Sequence, residues 1–192
     1  KWHGASSICG NVLVKKNLSL IERIARLFKV EVVDSCYDHV YASRTVVKNG
    51  LMEKGLSGYY GEDLWTACGE EYFKGKLHKG ETVYYEIVGY FPSGGWIQKG
   101  FDYGCKPNEH KIVVYRITKT GIDGDVVEYS WQAMKDRCKE LNVEHVKELY
   151  FGKAKDLFSE LDVTEHWNQN FVQKLKEKYL EKDLECNISC KV

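Results

Sequence analysis

The chain has 192 residues, 43% hydrophobic and 29% charged, enough for one domain with a buried core. Twenty-eight basic and 28 acidic residues cancel to zero net charge, which excludes a whole-surface electrostatic grip on nucleic acid and leaves room only for a local basic groove. No apolar run approaches the ~20 residues of a membrane span, and no apolar stretch follows the first charge as in a signal peptide.

In chain order, Ser7 to Val14 reads as a strand. Ser19-x-x-Glu22 is a capping-box signal, and Leu20, Ile21, Ile24, Leu27 and Phe28 share one face of the helix it opens, which ends near Val30. Val32 to Val47 is extended and bent or broken once, with Asn49-Gly50 ending it. A short helix is expected from Glu62 to about Tyr72, and a strong strand from Thr82 to Tyr90. Pro92-Ser93-Gly94-Gly95 turns the chain. Lys111 to Thr118 and Val126 to Tyr129 form strands around an Asp123-Gly124 hairpin turn. Ser130 caps a helix with the stripe Trp131, Met134, Cys138 and Leu141. Thr164 caps another, with Trp167, Phe171, Leu175 and Tyr179 at helical spacing. Hairpin-joined strands with interspersed helices predict an α+β domain built on antiparallel sheet.

Seven scattered cysteines predict free thiols in a reducing cytoplasm. Cys186-x-x-x-Cys190 has no second pair to complete a zinc set, so no metal site is assigned.

Several residues carry possible chemistry. Lys1-Trp2-His3-Gly4 matches K-x-H-G, a pattern that carries a nucleophilic lysine. About one lysine in 2,500 is neutral at pH 7, so attack on phosphorus costs ~4–5 kcal/mol unless the site depresses the pKa. An opening on such a residue, without an initiator Met, predicts a fragment of a longer protein. Glu86 is a carboxylate inside an apolar strand; it either faces solvent or accepts from a ligand such as a ribose hydroxyl. Arg44 reaches a phosphate or sugar, or forms a cross-strand salt bridge. Period two puts Val113, Tyr115 and Ile117 on one apolar face, making Tyr115 either core or a stacking platform for a base. Ile97 to Gly104 is a loop of high polar density.

In this order, these residues resemble the ATP-dependent RNA ligases of the phage and RNA-editing branch, relatives of DNA ligases and capping guanylyltransferases within the covalent nucleotidyltransferase superfamily. The resemblance implies an ATP-grasp-like nucleotidyltransferase domain, truncated at both ends, with residues 1–192 as a partial domain. It implies that Lys1 becomes linked to AMP, with His3 and Gly4 in the same motif. Arg44, with Ser43 beside it, lies near ribose and phosphate; Glu86 binds ribose; Tyr115 stacks on adenine. Gln98, Lys99, Asp102 and Tyr103 match a signature read as pocket support. ATP and Mg²⁺ are the implied cofactors, and RNA with 5′-phosphate and 3′-hydroxyl ends the implied partner, with no membrane role.

Departures are specific. Motif I often continues Gly-Thr-Asn, where this chain has Gly4-Ala5-Ser6, and an Asp often follows the stacking aromatic, where this chain has Arg116. Lys1 and Arg44 are further apart than in compact phage enzymes, and the helix at 20–28 accounts for the difference as an insertion. No E-G-x-V motif IV and no terminal K-x-K motif V of the family is found, so the chain alone is expected to be inactive or nearly so. His3 in place of Asp disfavours a DNA ligase or capping guanylyltransferase. A non-catalytic nucleotide- or RNA-binding module is the remaining alternative.

Overall fold

A computed structural model describes residues 2–49, 63–161 and 166–180. Its architecture is mixed α+β: an open, mostly antiparallel sheet with flanking helices. The strands are β1 (Ala5–Lys15), β2 (Ser35–Ser43), β3 (Val47–Asn49), β4 (Glu81–Gly89), β5 (His110–Thr120), β6 (Val126–Glu128) and β7 (Glu144–His145). The helices are α1 (Leu20–Leu27), α2 (Leu64–Phe73), α3 (Trp131–Leu141), α4 (Ala154–Leu157) and α5 (Trp167–Leu175), with a π-helical turn at Lys176–Leu180.

The strand order is β3-β2-β1-β4-β5-β6, and β7 also pairs with β5. That last pairing is parallel, the one departure among the described strands from the expected antiparallel pattern. It follows from α3, which returns the chain to the β5 edge after the β5–β6 hairpin. At two residues, β7 carries too little alternation to be seen in sequence.

One face of the sheet is the core face. Cys9, Tyr41, Val83, Tyr85, Ile87, Ile112, Val114 and Ile117 pack there with Leu64, Cys68 and Phe73 of α2 and Met134, Cys138 and Leu141 of α3. Burying each such large side chain contributes roughly 1.5–3 kcal/mol. The Ser130 cap is present, its side chain accepting from the Ala133 N–H, and the stripe it introduces is the one that packs. Asp63 caps α2 in the same way, accepting from Thr66.

The single break expected in the extended stretch is present. The long extended stretch breaks at residues 44–46, where Ser43 Oγ accepts from the backbone of Thr45 and Val46 and closes the β2–β3 turn. Glu62, Gly50 and Thr164, expected as helix start, strand end and helix cap, lie outside the described residues, as do Cys186 and Cys190. The α1 capping box is formed, yet among the described residues its apolar face is exposed: Leu20, Ile21, Ile24, Leu27 and Phe28 are 46–82% exposed.

Among the described residues no helix is long and apolar enough to cross a membrane.

Candidate functional site

The sheet face opposite the core carries Glu86 and Tyr115, two of the residues singled out from sequence. Antiparallel register sets the rows. Ser6 lies opposite Glu86, and Glu86 opposite Val113; one step along, Ser43, Ser7, Tyr85 and Val114 form the next row. Directly opposed side chains share a face, so Ser6 and Glu86 project together, away from the core.

Gly4 leads into β1 and closes on β4. Its N–H donates to Glu86 Oε1 at 3.2 Å. A Cβ at this position would overlap the Ile87 carbonyl oxygen and the Val88 side chain. The glycine of K-x-H-G is therefore required here by the approach of one strand to its neighbour. Glu86 is half-buried, and its bond to Gly4 explains how a carboxylate sits in an apolar strand: it orients the start of β1.

Tyr115 is on this face because β5 bulges. The β4–β5 register shifts between Tyr84 and Tyr85, pairing Tyr84 with Arg116 and Tyr85 with Val114 and leaving Tyr115 as the extra residue. The alternation slips by one there. Val113 and Tyr115 stay on the site face, whereas Ile117 turns into the core. This corrects the period-two reading, which put all three on one face. It also removes the core alternative for Tyr115, which is 41% exposed against 1% for Val113 and Ile117. Its hydroxyl lies 3.3 Å from Ser6 Oγ. Beside it, Arg116 covers the Tyr84 ring with its guanidinium carbon 5.1 Å from the centroid, and pairs with Glu128 at 3.1 Å.

His3 is held by the loop between β4 and β5. Its ring stacks on Phe101 with centroids 4.4 Å apart, and its backbone N–H donates to the Tyr103 hydroxyl at 2.6 Å. Trp2 packs on the Tyr103 ring at 4.6 Å, and Lys111 Nζ lies 5.7 Å from the Trp2 ring centroid. The loop is itself pinned: Asp102 Oδ1 accepts from Gly104 N–H, and Ile97 N–H donates to the Gly89 carbonyl.

The remaining residues fall as follows. Arg44 is exposed in the turn after Ser43, at the same end of the sheet as Ser6 but on the far side of β1 from Glu86. Among the described residues it forms no ion pair. Gln98 and Lys99 are exposed. The ring contacts of this loop with Trp2 and His3 come from Tyr103 and Phe101. Phe101, Trp2 and Ser6 were not singled out as site residues; the aromatic alternation of Phe101 and Tyr103, masked by their polar neighbours, is the signal that marks this loop. Lys1 lies outside the described residues.

Among the described residues no group of three or more His, Cys, Asp or Glu side chains could hold a metal ion. No protein-family model matches the chain, and no curated protein matches it in sequence.

Proposed function

We propose that this chain is part of an ATP-dependent RNA ligase and carries the nucleotide-binding face of its nucleotidyltransferase domain. The observation that carries the reading is the bond from Gly4 N–H to Glu86 Oε1. It joins the motif that contains the candidate nucleophile to the candidate ribose-binding carboxylate. Tyr115, exposed on the same face and steadied by Ser6, supports a base platform there.

In this reading adenine lies on Tyr115. The ribose hydroxyls donate to Glu86, whose carboxylate has about four lone-pair sites and so can accept from both Gly4 and a sugar. Arg44, exposed in the turn after β2, is suited to a phosphate. Lys1 Nζ, once deprotonated, attacks the α-phosphorus; an N–P bond forms, the bond to the β-phosphate oxygen breaks, and pyrophosphate leaves. The AMP passes to an RNA 5′-phosphate, releasing the lysine, and a 3′-hydroxyl then displaces AMP to seal the strand. Magnesium fits as a companion of the triphosphate, since it is usually held by substrate phosphates with one or two carboxylates, and it would offset phosphate charge.

The test is covalent labelling. The protein containing this chain, incubated with α-labelled ATP and Mg²⁺, is expected to gain label that survives denaturation and is lost in Lys1→Ala. Labelled GTP offered beside ATP, and nicked DNA beside RNA, separate a ligase of RNA from a capping enzyme or DNA ligase. Nucleotide binding unchanged in Lys1→Ala, with no adduct in the unmodified protein, would instead mark a non-catalytic binding module.

A further inference from the structure

We infer that Tyr103 is a positioning residue for nucleotidyl transfer, acting through the backbone of His3; this rests on the function proposed above. Tyr103 comes from a loop a hundred positions away from His3. It is 2% exposed, and its hydroxyl sits 2.6 Å from the His3 nitrogen. Its own backbone is left-handed, with φ 49°. A bulky residue other than glycine rarely adopts that conformation, and it persists only where the surroundings over-determine it. Here they do. Trp2 packs on the ring, Asp102 closes the turn onto Gly104, and Cys105 N–H donates to the Asp102 carbonyl.

Phe101 works from the same loop, stacking on the His3 ring at 4.4 Å. His3 is thus gripped twice, by its main chain and by its imidazole. Gly4, the next residue, is bonded to Glu86. Three consecutive residues, Trp2 to Gly4, are therefore fixed by partners on β4 and on the loop that follows it. Lys1 is joined to this frame through the covalent chain at Trp2. Attack on phosphorus needs the nitrogen in line with the leaving oxygen, and misplacement by about 1 Å can cost on the order of a hundredfold in rate.

Neither side chain needs to touch ATP. The expected signature is a loss of rate without a loss of ATP affinity. Tyr103→Phe keeps the ring and removes the hydroxyl. In single-turnover labelling at saturating ATP it should slow adduct formation about tenfold, with half-saturation and the thermal midpoint nearly unchanged. Phe101→Leu should show the same split, and Phe101→Tyr, which keeps a stacked ring, should restore the rate; this pair carries the test if Tyr103→Phe folds poorly. A full-rate Tyr103→Phe, or a deficit seen only as weaker ATP binding or tracking a lowered midpoint, overturns the inference alone. Absence of adduct in the unmodified protein overturns the nucleotidyl-transfer reading and this one with it.

Discussion

Tyr115 and Glu86 reach the same sheet face by different means, and the difference decides how far each was legible in the sequence. Glu86 announced itself as a carboxylate among Val, Tyr and Ile, and it is indeed oriented by a specific partner, the Gly4 N–H. Tyr115 was ambiguous because a one-residue bulge is invisible to alternation. A strand read at period two assigns Tyr115 and Ile117 to one face; the extra residue in β5 sends them to opposite faces. The exposed ring is the prediction at this scale. Tyr115→Ala should weaken ATP binding by ~1–3 kcal/mol, the usual worth of one base stacked on an aromatic. Tyr115→Phe keeps the platform and gives up only the contact with Ser6. Equilibrium binding of ATP to both variants measures the gap, and equal affinity would remove Tyr115 from the base site.

Elements with strong local signals formed where expected. The capping box at Ser19 and the Ser130 cap are both made, because a side chain three residues from its partner needs no tertiary help. Tertiary outcomes were less legible. The stripe on α3 packs against the sheet, but the equally regular stripe on α1 is exposed among the described residues. Periodicity tells that a face exists and not what covers it. For this reason Leu27→Glu should leave stability within about 0.5 kcal/mol of the parent in urea unfolding, as surface substitutions do. A loss of several kcal/mol would show that α1 is covered. The β4–β5 loop was read by its charges, Lys99 and Asp102, whereas its contacts with the start of the chain are aromatic.

At the scale of the molecule, one buried ion pair ties α3 to the sheet. Arg137 Nε and Nη2 each lie 2.9 Å from a Glu81 carboxylate oxygen, and Nη2 also donates to the Lys76 carbonyl. Tyr129 donates to the same carboxylate. Burial pushes the Glu81 pKa up, but the Arg137 hydrogen bonds and the His78 N–H outweigh it and hold the carboxyl below its ordinary value. A lowered folded pKa means stability that is complete above the unfolded value, near 4.3, and lost as pH falls through the folded one. Urea titrations below about pH 4.5 should follow that loss. Arg137→Met should cost about 3–5 kcal/mol at neutral pH by leaving the charge unpaired. It should also abolish the acid-side decline that Glu81 contributes, since burial then favours the protonated acid. A variant as stable as the parent would show that the pair is not a lock. The antiparallel sheet was predictable from its hairpins; the strand order was not, because β1 takes its central place only through β4. That order governs assembly in time. Among the described strands β1 is translated before the others, and the strand that completes its second edge comes only after α1, β2, β3 and α2. The bonds from His3 to Tyr103 and from Gly4 to Glu86 span the same interval. A nascent chain thus carries His3 and Gly4 without these partners until β4 and the loop after it have been made.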